Sequence, residues 1–435
     1  MIKTLLQYGF RYQWNSETST LHSTPIPNDI SFQDAMYLAI TNNFAPKSNK
    51  HIGAYFQSRE CEQEFITLHN YNNEVAYFPI EIFDVYDSLL IDNVFGNIQE
   101  PVMKMLKDPN CNLRLLIWFP TEGYHLKNMR TLDMLCNSVQ VLNIPYEKIY
   151  FIYGDLFCDR NIHKKELPNM NLYGMSYFEN ALIDNYDNQP DLLGKITEEE
   201  FLNTFYNKKN KYYLYKNRVC RPYRLFAYAY AYDRDLLKYA HHSFLDIYDQ
   251  VKQGQYHLFN ECKEINPKER ERLKNSLGDS FLQCIPKILD AGKEEVEQTQ
   301  WSTTKFYQQD SHFSLVTETV IESGLMFLSE KTWKCIYGYH PFIIWGNPNT
   351  LKYLKSVGYK TFDFLWDESY DLEYDATKRI KKIFDTIEYI CSGAIDDKLY
   401  SQELIDVLIH NHNNLVSRQY IEYKKLHHYL TTHNQ

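Results

Sequence analysis

No stretch of this 435-residue chain approaches the roughly 20 consecutive apolar residues of a membrane-spanning helix. The opening MIKTLLQYGFRYQW also lacks the apolar core of a secretion signal. These two absences set the expectation of a soluble cytoplasmic protein. The nine cysteines form no CxxC pair and are scattered from Cys61 to Cys391, which argues against a disulfide framework or a zinc site and for free thiols in a reducing compartment. There is no GxxxxGK[ST] loop and no GxGxxG fingerprint, which disfavours P-loop enzymes and typical dinucleotide oxidoreductases. HExxH and GxSxG are missing too, so neither a zincin nor an α/β-hydrolase elbow is encoded. No repeat recurs at a 20–50-residue period (a range of about that size marks solenoids). A net charge of −10 argues against a general nucleic-acid binder, although a basic cleft within an acidic shell is compatible with it.

What is present is a length that suits two domains and ample apolar content for two cores, at 44%. The stretch from Phe313 to Asp371 carries the clearest pattern. FSLVTE reads as a buried strand ending on Glu318. SEKTWKCIYGY follows as a helix capped by Ser329, then PFIIWG as a second strand and NTLKYLKSVGY as a second helix. KTFDF, residues 360–364, reads as a third strand. Strand, helix, strand, helix, strand predicts a parallel sheet, and such sheets bind ligands at the carboxyl ends of their strands. In the first half, NLRLLIWFPTEGY and KIYFIYG flank a helical stretch and complete one βαβ unit. Short apolar runs precede it, among them HIGAYF and EVAYFPIEIF, and FQDAMYLAITNNF reads as helical. The polar segment 184–197 is the expected linker. The expected layout is an N-terminal domain over 1–190, a second over 191–400 and a helical tail over 401–435.

Four groups of residues could carry chemistry. Arg218, Arg221 and Arg224, with Lys216, lie at a strand-to-helix junction in KNRVCRPYR. Guanidinium forks and helix-start amides both match phosphate oxygens; a solvated basic turn is the plain alternative. Glu318, Glu330 and Lys331 follow strand-like segments, where a carboxylate can accept ribose hydroxyls and a lysine can pair with phosphate; a salt bridge and a helix cap would explain them equally. Glu122 follows the strand LRLLIWFP, placed to act as a general base, with His125 as a rival of comparable merit. Asp233-Arg234-Asp235 has the DxD form of a metal chelator but falls in a helical stretch and is discounted.

With these residues in view, the chain resembles the fucosyltransferase-like glycosyltransferases of the two-domain, metal-independent type. The resemblance covers roughly residues 211–371. It rests on Phe313-x-Leu315-x-x-Glu318, then Phe327-Leu328-Ser329-Glu330-Lys331, a helix, a strand ending at Gly346, and the upstream arginine junction. It implies an α/β fold of two Rossmann-like domains (the GT-B type) with C-terminal helices and a cleft between the domains. It further implies a nucleotide-diphosphate-sugar donor, no metal and no other cofactor, an inverting mechanism, and transfer to a hydroxyl acceptor. Arg218, Arg221 or Arg224 with Lys331 would hold the diphosphate, Glu330 and Glu318 the ribose or sugar hydroxyls, and Glu122 or His125 would deprotonate the acceptor. Phe327 stands where the family often has Tyr, so fucose and guanine specificity do not carry over. The wider pattern from Leu328 to Asp371 is similar to uncharacterised transferases of large DNA viruses and phages. The acceptor expected is a glycan or another hydroxyl-bearing molecule; hydroxymethylated bases of viral DNA are the alternative. A non-catalytic binding or assembly protein on the same shell is the rival from another class.

Overall fold

The computed structural model describes residues 2–6, 10–15, 20–25, 63–68, 71–81, 95, 98–124, 130–158, 169–188, 194–245, 257–289 and 305–433. The runs FQDAMYLAITNNF and HIGAYF and the side chain of His125 lie outside these residues. Packing divides the chain into two α/β units, one of residues 1–180 with 420–435 and one of residues 181–419.

The first unit holds β1 (Ile2–Leu6), a hairpin of β2 (Phe10–Asn15) and β3 (Thr20–Pro25), then β4 (Gln63–Thr67), β5 (Ala76–Glu81), β6 (Leu113–Phe119), β7 (Ile149–Tyr153) and β8 (Asn171–Gly174). Six of these strands make one parallel sheet in the order β4-β1-β5-β6-β7-β8. Along β6 every residue from Leu115 to Phe119 is buried, the near-continuous apolar run of a strand covered on both faces. Leu115, Ile117 and Phe119 enter the core with Phe78, Ile80 and Phe151. Tyr77 and Tyr150 sit one residue away from Phe78 and Phe151 and so point to the opposite face. There they meet the C-terminal helix Ile421–Thr432: the Tyr77 hydroxyl donates to the Leu430 carbonyl at 2.8 Å, and the Tyr150 ring packs edge-on to Tyr429. The segment 401–435 holds two helices. Its first helix packs in the second unit and its last in the first, with the division after Gln419. The expected linker over 184–197 is also partly regular, since the helix Tyr177–Asn188 runs into it.

The second unit is built on β9 (Lys211–Asn217), β10 (Ala240–Phe244), β11 (Ser311–Thr317) and β12 (Phe342–Trp345), parallel throughout and ordered β10-β9-β11-β12. The helices that matter below are α1 (Pro222–Asp233), α2 (Pro267–Gln283), α3 (Glu330–Tyr337), α4 (Thr350–Ser356), α5 (Ala376–Cys391) and α6 (Gln402–Ser417). Helix α1 opens on Pro222, whose fixed φ suits the first turn, and is buried continuously from Tyr223 to Ala231. The tyrosine-alanine stripe is thus core, not a stacking surface. KTFDF is not a strand: the Phe362 amide donates to Glu368 at 2.7 Å, the Thr361 hydroxyl to the same carboxylate at 2.6 Å, and both polar groups of the Lys360 backbone bond to Asn411 of α6. Side chains have satisfied the backbone groups that a fifth strand would have paired. No helix among the described residues is long and apolar enough to cross a membrane.

The strand order positions the site. From β9 the chain goes through α1 to β10 on one side, whereas from β11 it goes through α3 to β12 on the other. The carboxyl ends of β9 and β11, neighbours in the sheet, are where the connections diverge. In sheets of this kind such a divergence is where a crevice usually receives a ligand.

Candidate functional site

At the crevice floor the Thr317 hydroxyl donates to Asn217 Oδ1 at 2.5 Å, joining the last residues of β11 and β9. The chain then leaves β9 through exposed Arg218 to Arg221, the N-cap of α1, and on to Arg224 in its first turn. Arg224 is only 4% exposed. Its terminal nitrogens reach the Val219 carbonyl and the Thr319 hydroxyl at a slack 3.4 Å each, and its Nε has no hydrogen-bond partner among the described residues. A buried guanidinium with such weak bonding is costly. Beside it, the Tyr223 hydroxyl donates to the Thr319 carbonyl and pins α1 to the loop after β11.

Glu318, the residue after β11, is fully buried. Its Oε2 accepts from the Ser329 hydroxyl at 2.5 Å and the Ser329 amide at 3.2 Å, and its Oε1 accepts from the Thr332 hydroxyl at 2.6 Å. These donors stand in for water around a buried carboxylate. Both oxygens are engaged, and through them Glu318 braces the start of α3. Gly346, which ends β12, belongs to the same brace, because a Cβ there would lie 3.3 Å from Cβ and Cγ of Glu318. Ser329 is the N-cap of α3, which leaves its oxygen between Glu318 and the Lys331 ammonium, 3.0 Å away.

Glu330 and Lys331 are the groups presented by that brace. Lys331 Nζ lies 3.1 Å from Glu330 Oε1. The second oxygen of Glu330 has no hydrogen-bond partner among the described residues. Burial opposes ionisation of Glu330, yet Lys331, Lys334 and Arg224 together hold its carboxyl below the usual range. Lys334 is itself buried, and burial pushes its ammonium pKa down against the pull of Glu330. The cations Arg224, Lys331 and Lys334 outnumber the carboxylates Glu318 and Glu330 here, and Glu330 keeps one oxygen as an acceptor among them. Cys335, also at this helix, has its thiol pushed up to about 11 by burial and is no nucleophile.

Arg221, Arg224, Glu318, Ser329, Glu330 and Lys331 thus all belong to the segments that leave β9 and β11. Arg218 is exposed on the same junction. Lys334, Thr332, Thr317 and Asn217 were not among the expected site residues. Lys334 follows Lys331 by three positions on one helix and could have been read from that spacing; the others are ordinary polar residues with no signal until the strands pair.

In the first unit Glu122 follows β6, and its carbonyl accepts from the Gly154 amide at 3.1 Å, beside the end of β7. It raises the Tyr153 hydroxyl pKa, after burial itself. His125 is outside the described residues. In Asp233-Arg234-Asp235 each side chain is in an ion pair, with Arg272, Asp385 and Lys238 respectively.

No protein-family model matches the chain, and no curated protein matches it. Among solved structures, an alpha1,3-fucosyltransferase aligns with a TM-score of 0.34 at 11% identity, over 88% of this chain and 86% of that one. A trehalose-6-phosphate synthase aligns with a TM-score of 0.37 at 11% identity, over 99% and 90%. A glycosylation associate protein complex from Streptococcus agalactiae gives 0.27 at 11%, over 82% of this chain but 56% of the other.

Proposed function

We propose that the chain is a glycosyltransferase that takes a sugar from a nucleotide-diphosphate donor and places it on a hydroxyl acceptor. The observation that carries this reading is the charge set at the β9–β11 crevice: a nearly buried Arg224 with slack bonding, Lys331 and Lys334, gathered around one carboxylate with a free oxygen. A diphosphate bridging Arg224 and Lys331 supplies stronger acceptors than the two slack ones Arg224 has, and bidentate contact suits the guanidinium. Glu330 then accepts the paired hydroxyls of a ribose. In the reaction the bond between the sugar's anomeric carbon and the diphosphate oxygen breaks. Negative charge builds on the leaving diphosphate, and fixed cations stabilise it at that moment. The acceptor oxygen forms the new bond and its proton passes to a base. The resemblance assigns that base to Glu122, with His125 as the alternative, and with it an inverting, metal-independent course.

Calorimetric titration with a panel of nucleotide-diphosphate sugars tests the reading. Binding of one of them, lost in Lys331→Ala, is expected. A chain that binds none would leave the non-catalytic shell as the better account.

A further inference from the structure

A cavity of about 420 Å³ opens in the second unit, between the loop after β11 and the starts of α2 and α5. It lies within the size range of small-molecule sites, roughly 300–1,000 Å³. Its wall carries Lys263, Glu264, Glu322, Ser323, Tyr374 and Asp375. Glu322 is four residues past Glu318 and was not singled out by the sequence. One of its oxygens, Oε2, is enclosed and has no hydrogen-bond partner among the described residues. Its backbone is fixed, since Asn347 Nδ2 donates to the Glu322 carbonyl at 2.8 Å while Asn347 Oδ1 accepts from the Phe327 amide at 2.9 Å.

Tyr374 is 61% exposed, yet it is held at both ends. Asn349 Nδ2 donates to its hydroxyl at 2.9 Å and the Ser323 hydroxyl donates to its carbonyl at 3.2 Å. Beneath, the buried Arg379 donates to the Ile321 carbonyl at 2.6 Å and the Glu373 carbonyl at 2.7 Å, tying the two walls together. An exposed ring already fixed in place loses little freedom when something packs on it.

The lining selects a ligand by its charge. The Glu264 and Asp375 carboxylates disfavour an anion. Lys263 in the wall, and a Glu322 carboxyl pushed up to about 7 by burial and by Glu264, disfavour a cation. An apolar ligand would cover the polar ends of Glu322 and Lys263 without pairing them. A neutral ring with hydroxyls on its edge and C–H groups on its face satisfies both the acceptors and the aromatic plane.

We propose that this cavity is a subsite for the ring of a neutral sugar, which packs on Tyr374 and donates a hydroxyl to Glu322. The inference rests on the transferase reading for its place in function, though its ligand chemistry comes from the cavity alone. The test is saturation-transfer NMR on the full chain with methyl glycosides of glucose, galactose, mannose, fucose and N-acetylglucosamine. At least one should give a signal, and it should fall at least tenfold in Tyr374→Ala and in Glu322→Gln but persist in Tyr374→Phe. Absence of signal from every glycoside overturns the proposal, as does a signal that both variants leave intact. Tyr374→Ala carries the test alone if Glu322→Gln does not fold, because the ring is exposed. No nucleotide is used, so failure here leaves the crevice reading standing, and failure of nucleotide-sugar binding leaves this result readable.

Discussion

Glu318 Oε2 accepts the hydroxyl of Ser329 at 2.5 Å, and this one bond fixes the start of α3 to the end of β11. It makes the Glu318 carboxylate a support for the first turn of α3. Lys331 and Glu330 take their positions from it.

Removing that support should cost stability. Glu318→Ala leaves the hydroxyls of Ser329 and Thr332 buried without their acceptor, and a loss of about 2–4 kcal/mol is expected in urea unfolding. Glu318→Gln should cost less, because the amide keeps one acceptor oxygen. Equal stability of Glu318→Ala and the parent chain would show that the brace is not formed.

Gly346→Ala probes the same contact from the other side. Its Cβ would come within 3.2 Å of Ile344 and 3.3 Å of Glu318. A destabilisation of roughly 1–3 kcal/mol is expected from overpacking, with weaker donor binding, as the carboxylate is pushed off Ser329.

Three histidines of the second unit should make it acid-labile. Burial pushes His340 down to about 3, and His242 and His312 down to about 4. His340 is satisfied as the neutral ring, between the Ser314 hydroxyl at 2.9 Å and the Ser311 carbonyl at 3.1 Å. Unfolded histidine takes a proton near pH 6.5, whereas these rings refuse it until far lower. Stability is therefore complete above about pH 7 and falls as the pH drops toward 4. Urea midpoints measured across that range should decline steeply, and a flat profile would contradict the burial of these rings.

Glu322 has the opposite sign. Its carboxyl is raised from 4.5 to about 7 by burial and by Glu264, so the folded chain holds a proton that the unfolded chain has released. Its penalty is absent below about pH 4.5, grows as pH rises, and is complete above pH 7. Glu322→Gln should accordingly stabilise the protein at pH 8, by about 1–3 kcal/mol, and leave stability near pH 4 unchanged. A loss of stability at pH 8 would mean that the carboxylate is paired.

Much of the second unit could be read in advance from local signals. SHFSLVT and FIIW are apolar enough to be strands wherever they pair, and Ser329 announces α3 by its cap. KTFDF has the same look, but its backbone is claimed by Glu368 and Asn411, partners that only the folded chain brings near. Strands Asn171–Gly174 and Ala240–Phe244 are short and half polar, and β1 opens the chain without an alternating pattern, so none stood out. The site divides in the same way. The arginine junction and the Glu330–Lys331 pair were legible as residue types in order. That they share one crevice depends on β9 pairing with β11, about a hundred residues apart, and no local pattern encodes that choice. The donors that occupy Glu318 lie 11 and 14 residues beyond it, which is why its role as a brace, like the enclosed oxygen of Glu322, needed the structure.

The central claim is that Arg224 is kept under-bonded in the crevice to receive a diphosphate, and Arg224→Met tests it most directly. Methionine fills similar space without a buried charge, so folding stability should hold or rise. Binding of nucleotide-diphosphate sugar by calorimetry, meanwhile, should weaken at least tenfold. Undiminished binding in a folded Arg224→Met chain would contradict the account.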